Sequence, residues 1–131
     1  MKKTTIIIKT HSRNEMINIT PEITRIASEW QIEDGRLTLH VPHTTAAVTI
    51  NENADPDVKH DFLLGMNRIS PVLREFQHQE GNSDAHLKSS IIGCTLDIIV
   101  SEGKLVLGTW QGIFFCEFDG PRTRNLYILH V

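Results

Sequence analysis

The sequence predicts a single compact α+β domain, largely an antiparallel β sheet or sandwich with two or three helices. Three observations predict it. Segments of helical periodicity lie in the first two thirds of the chain, at least four β-branched or alternating runs crowd the last third, and short turn signals separate those runs. At 131 residues the chain fits one domain and can bury a core without disulfide or metal staples. Hydrophobic residues make up 40% and charged residues 22%, which excludes a disordered chain. No repeat, linker or low-complexity run divides residues 1–131.

Thr4 to Thr10 is a β-branched run and predicts a strand, and Asn14 to Ile19 adds a second short one. Thr20-Pro21-Glu22 then carries the signature of a helix start: an N-cap, a proline at the first helical position and an acid in the first turn. Ile23, Ile26, Ala27 and Trp30 follow at i, i+3, i+4 and i+7, one apolar stripe, and Asp34-Gly35 ends the unit. From Arg36 the period changes to two, with Leu37, Leu39 and Val41 on one face, until Pro42 breaks the strand. His43 stands at the mouth of the next strand, which runs through small and β-branched residues to Ile50.

Asp55-Pro56 repeats the cap-plus-proline signal, and Val58, Phe62, Met66 and Ile69 give a second helix its stripe before Ser70-Pro71 stops it. Gly81, Asn82 and Ser83 form a turn cluster, after which Ser83 or Asp84 caps a short helix through Lys88 and Ser90. The last third reads as strands over Thr95–Val100, Leu105–Leu107, Ile113–Phe118 and Leu126–Val131. Glu102-Gly103 and Asp119-Gly120-Pro121 serve as hairpin turns between them.

Composition limits the partners. Thirteen basic and sixteen acidic residues leave a formal charge of −3, with Lys and Arg dispersed, so no nucleic-acid footprint is visible. The opening Met-Lys-Lys has an apolar run of only Ile6 to Ile8 before Lys9, too short for an export or membrane segment. Cys94 and Cys116 lie in strand-like runs without Cys-x-x-Cys spacing. They read as reduced core thiols of a cytoplasmic protein rather than as a disulfide or a nucleophile.

Titratable chemistry is densest in His78-Gln-Glu-Gly-Asn-Ser-Asp-Ala-His86, with two imidazoles and two carboxylates in nine residues. His78 arrives on a loop and His86 on a helix start, so the rings can converge from different directions. With His43 they make a candidate ligand set for Zn²⁺ or a similar ion with one open position. Three separate surface or capping histidines explain the same residues. Glu80 is the candidate general base or partner of a ligand imidazole, and Asp84 is the second candidate, equally suited to helix capping. Phosphate recognition has Thr44, Thr45, Lys88, Ser89, Ser90, Arg122 and Arg124 as donors. Without a glycine-rich strand-to-helix loop, nucleotide hydrolysis is disfavoured. Gly108 and Gly112 flank Thr-Trp-Gln, allowing a bulge or close approach that aims Trp110 and Gln111 at a ligand, or leaves Trp110 to pack at a subunit contact.

Three segments together resemble the YjbQ family: His43 to Val58 (His-Thr-Thr-Ala-Ala-Val-Thr-Ile-Asn-Glu-Asn-Ala-Asp-Pro-Asp-Val), Glu80 to Ser90 with its Asp84-Ala-His86-Leu-Lys88, and Leu107-Gly-Thr-Trp-Gln-Gly-Ile113 followed by Cys116-Glu-Phe. The resemblance spans essentially the whole chain. It implies a compact, largely β, α+β fold assembling as a homotrimer, with a His-lined pocket that can hold a divalent metal, Zn or Mg. It also implies a weak thiamine-phosphate-synthase-type activity, the coupling of a pyrimidine diphosphate with a thiazole phosphate. On that reading His43, His78 and His86 hold the ion, Glu80 orders a ligand or moves a proton, and Lys88 with Arg122 grips the phosphate of a small phosphorylated molecule. A non-catalytic ligand- or metal-binding trimer, and a metal-dependent hydrolase of a small phosphate ester, fit the same residues.

Overall fold

The computed structural model describes residues Met1–Val131. In chain order the elements are β1 (Lys3–Lys9), β2 (Glu15–Asn18), α1 (Thr20–Glu29), β3 (Gly35–His40), β4 (Ala46–Glu52), α2 (Pro56–Ile69), α3 (Ser83–Ile92), β5 (Thr95–Ser101), β6 (Lys104–Leu105), β7 (Gln111–Glu117) and β8 (Thr123–His130). The strands form a five-stranded sheet, β1-β8-β3-β5-β6, and a three-stranded sheet, β2-β7-β4, with every pair antiparallel. The α+β domain expected from the sequence is thus the one observed.

Side-chain alternation divides the interior into two cores. Leu37 and Leu39 of β3, Leu126 and Ile128 of β8 and Ile98 and Val100 of β5 point inward from the large sheet and meet Val48, Ile113 and Phe115 from the small one, with α1 adding Ile23, Ile26 and Ala27. The intervening residues of the small sheet, Ala47, Phe114 and Cys116, face the opposite way into a second core with Ala85 of α3 and the partly buried Phe62 and Leu63 of α2. The small sheet is therefore covered on both faces, which is why β7 is a continuous buried run from Gly112 to Glu117. The large sheet has one wet face. That accounts for its polar alternation at Thr5, Thr38 and Tyr127, and for the exposure of Ile7 and Ile99.

Local chemistry sets several boundaries as expected. Asp55 caps α2, its side chain accepting from the Asp57 N–H at 2.9 Å, with Pro56 as the first helical residue. Glu102 and Gly103 both take positive φ, 52° and 75°, the twist that a two-residue β5–β6 hairpin requires.

Other expectations are corrected. Thr20 is the first residue of α1 rather than its cap: its hydroxyl donates to Asn18 Oδ1 at 2.6 Å and accepts from the Ile113 N–H at 2.8 Å, tying α1 to β7. Asn82, not Ser83 or Asp84, occupies the cap position of α3. Ile69 of the predicted α2 stripe is exposed, because the helix packs on the core of the small sheet through Phe62 and Leu63. Asp119-Gly120-Pro121 joins no hairpin, since β7 and β8 belong to different sheets and the chain crosses between layers there. Cys116 is buried and its thiol is pushed up to about 12 by that burial, but Cys94 lies exposed just before β5 rather than in the core. Both cysteines are free. No helix is long and apolar enough to cross a membrane.

Candidate functional site

The β3–β4 connection, the loop before α3 and the β7–β8 crossover meet at one end of the domain. Between them lies a cavity of about 430 Å³ lined by Pro42, His43, Thr44, Thr45, His78, Glu80, Asn82, His86, Asp119, Arg122 and Arg124. Only Pro42 lacks a polar side chain. A larger hollow of about 550 Å³ lies on the wet face of the five-stranded sheet, among Lys3, Thr5, Thr38, His40 and Tyr127. It holds no comparable cluster of titratable groups, so the smaller, polar cavity is the candidate site.

Its floor is a buried ion pair. Arg124 binds Glu117 through both Nε (2.9 Å to Oε1) and Nη2, and Nη2 also donates to the Thr45 hydroxyl at 2.8 Å. Glu117 further accepts from the Thr10 hydroxyl at 2.7 Å and the Asp119 N–H at 3.0 Å. Burial alone would push the Glu117 carboxyl up; the Arg124 bond, then the Asp119 N–H and the Thr10 hydroxyl, outweigh it and hold it below its ordinary value. The wall is a chain of hydrogen bonds. Arg122 donates to Asp119 at 3.0 Å, and Asn82 Nδ2 donates to Asp119 at 2.7 Å and to Glu80 at 3.4 Å. Two carboxylates on the Nδ2 side fix the orientation of that amide. Asn82 Oδ1 is thereby left buried without a partner, an acceptor waiting for an N–H or O–H donor.

Of the three predicted histidines, all line the cavity, and His78 and His86 stand edge to face with ring centroids 5.4 Å apart. His43 differs. Its Nε2 accepts the Asn125 backbone N–H at 2.9 Å, so its proton resides on Nδ1 and neither ring nitrogen has a lone pair free for an ion. Burial, reinforced by Arg124, holds His43 below its usual value and hence neutral at pH 7. No group of three His, Cys, Asp or Glu side chains is gathered in metal-holding geometry, so the three-imidazole sphere is not assembled. His78, His86 and Glu80 fit an ion by donor type alone, nitrogen and carboxylate oxygen.

Glu80 and Asp84 part company. Glu80 is exposed, lines the cavity and carries no cationic partner. Asp84 is 2% exposed and lies behind the wall, held bidentately by Arg13 at 2.9 and 3.0 Å and by Lys88 at 3.3 Å. Burial raises its carboxyl, but Arg13, with Lys88 second, more than compensates and holds it below the ordinary range. Asp84 is a structural anchor with no proton to exchange. Its presumed neighbour in phosphate binding, Lys88, is 0% exposed, its ammonium spent on Asn67 (2.6 Å), Asn14 (3.2 Å) and Asp84. Burial pulls the Lys88 ammonium below its usual value, partly offset by Asp84.

Thr44 and Arg122 do reach the cavity. Ser89 is buried with its hydroxyl donating to Ala46 O at 2.7 Å, which fastens α3 to β4. Trp110 and Gln111 lie elsewhere, Trp110 in the turn before β7 and 63% exposed, Gln111 accepting from the Gly108 N–H at 2.8 Å. The close approach read from Gly112 is to a side chain of this chain: a Cβ there would stand 2.7 Å from Asn53 Cβ. Asn82, Asp119 and Arg13 were missed. The first two carry only turn signals, and Arg13 carries none.

Fold and cavity define a class: a small two-sheet α+β protein with a polar, histidine-lined cavity between its loops. The chain belongs to the YjbQ-like family, for the model described as UPF0047 protein YjbQ-like matches residues 4–131. UPF0047 protein MJ1081 of Methanocaldococcus jannaschii is 55% identical over 121 residues, 92% of this chain and 88% of that one. UPF0047 protein YugU of Bacillus subtilis is 54% identical over 125 residues, 95% of each. A crystal structure of an uncharacterized conserved protein of the same family from Clostridium acetobutylicum superposes with a TM-score of 0.95 at 44% identity, covering 98% of this chain and 99% of that one.

Proposed function

We propose that the cleft binds a small phosphorylated molecule together with a divalent ion, and that its chemistry is hydrolysis or transfer at that phosphate. The observation that carries this reading is the lining: eleven residues, all polar but Pro42, with two arginines, three histidines and a free carboxylate turned to one cavity. Arg124 is already paired with Glu117 and Arg122 with Asp119, which leaves Glu80 as the uncompensated charge of the cavity. A phosphate dianion therefore needs a further cation, and a divalent ion, Zn²⁺ or Mg²⁺, at His78 and His86 would supply it. Such an ion would polarise the phosphoryl oxygens. Arg122 grips phosphate from the exposed side, and the His43 Nδ1–H and the Thr44 hydroxyl donate to it. Glu80 takes the proton of the attacking water and passes it to the leaving oxygen as the P–O ester bond breaks, leaving phosphate and an alcohol.

Thiamine-phosphate-synthase-type coupling is the weaker use of the same site. The charged cavity by itself, its imidazoles apart, offers no apolar wall for a pyrimidine and a thiazole. A homotrimer is part of the proposal, supported by the family resemblance and by the exposed Leu64, Ile69, Leu87 and Ile91 of α2 and α3. Sedimentation should then return three times the 14.9 kDa chain mass.

Calorimetric titration with methylphosphonate, a stable phosphate mimic, tests the binding. Arg122→Gln is expected to weaken it about tenfold, one charge-assisted contact, while changing unfolding stability by less than about 1 kcal/mol because the Arg122–Asp119 pair is exposed on the arginine side. His86→Ala should abolish Zn²⁺ uptake in equilibrium dialysis. Unaltered methylphosphonate affinity in Arg122→Gln would sink the reading.

A further inference from the structure

The cavity does not end at His86. A second hollow of about 410 Å³ shares His43, Thr44 and His86 with the first and adds Ser89, Ser90, Gly93 and Cys94. The three shared residues form a saddle between two lobes. All four charged side chains, Glu80, Asp119, Arg122 and Arg124, are in the first lobe; the second has none. Its walls present the Thr44 and Ser90 hydroxyls and the exposed Cys94 thiol, the Ser89 hydroxyl being spent on Ala46. At Gly93, φ is +104° and the space a Cβ would occupy is open for 4 Å, so the hollow is unobstructed on that side.

We propose that the cleft takes a two-part ligand, with the phosphate in the charged lobe and an uncharged organic group lying across the His43–His86 saddle in the lobe that ends at Cys94. This rests on the phosphate reading and adds a substrate class to it: monoesters whose alcohol is neutral and about the size of one ring. Charge segregation is the reason. An uncharged group entering the second lobe strands no charge, whereas a second anionic group there would lose its hydration with no cation to replace it. A volume of about 410 Å³ lies within the range of small-molecule sites.

Methylphosphonate and phenylphosphonate, which share a head group and differ only in the neutral part, separate the two lobes. Phenylphosphonate is expected to bind at least about fivefold tighter and to slow iodoacetamide alkylation of Cys94 by a similar factor. Methylphosphonate should leave that rate within about twofold, and Cys116, being buried, does not compete for the reagent. Cys94→Trp, at an exposed position, fills the lobe: it should erase the phenyl advantage while methylphosphonate still binds as before. If methylphosphonate binds but phenylphosphonate neither gains affinity nor protects Cys94, the second lobe is not a subsite and the proposal falls alone. If methylphosphonate itself fails to bind, the phosphate reading falls and this proposal with it.

Discussion

Glu117→Gln is expected to lower the unfolding free energy by about 3–5 kcal/mol, the largest single-site loss we predict outside the apolar core. The substitution keeps shape and hydrogen-bonding capacity but leaves the Arg124 guanidinium, 5% exposed, without its counter-charge. Thr10 and the Asp119 N–H lose a charged acceptor at the same time. At a few degrees per kcal/mol for a chain of this size, the thermal midpoint should fall by roughly 10–20 °C. Glu117→Gln with Arg124→Met removes the stranded charge as well and should be less destabilised than the sum of the single variants. A loss below about 1 kcal/mol would mean that the pair is no stronger than a surface bridge.

The sign of the pH dependence follows from the same pair. The folded Glu117 and Asp84 carboxyls both sit below their unfolded values, so the stability they confer is complete above the ordinary carboxylate range and is lost as pH falls through their folded values. His43, held below its usual value, works in the same direction at higher pH: the unfolded chain takes up its proton first as pH drops through about 6.5, costing stability there. Urea midpoints at pH 7, 5 and 3 should therefore fall steadily for the wild type and less steeply for Glu117→Gln.

Lys88→Met should cost about 3 kcal/mol of stability and leave methylphosphonate affinity within about twofold. Removing the ammonium takes one of its two cations from the buried Asp84 and leaves the side-chain carbonyls of the half-buried Asn14 and the exposed Asn67 without their donor. The cavity does not include Lys88, so binding has no direct reason to change once the protein is folded. A tenfold loss of affinity in a folded Lys88→Met protein would instead restore this lysine to the phosphate site, where the sequence motif had put it.

Asp84-Ala-His86-Leu-Lys88 shows where sequence reasoning reaches and where it stops. Asp84 and Lys88 are four apart and so share a helix face, which spacing alone reveals. Spacing does not reveal that this face turns inward to meet Arg13 from the β1–β2 connection, while His86, two residues on, turns to the cavity. Cys94 and Cys116 make the same point. Each ends or begins an apolar run, yet only Cys116 lies between two layers.

By itself the sequence determined the helix start at Pro56, the β5–β6 turn and the alternation of the large sheet, because each is written in neighbouring residues or in a period of two. Tertiary structure alone decided that β7 and β8 part into different sheets, that Asn125 takes the His43 lone pair, and that Asn82 and Asp119 complete the wall. Those contacts join residues 37 to 82 positions apart. They arise from how the layers stack, and no local pattern encodes that.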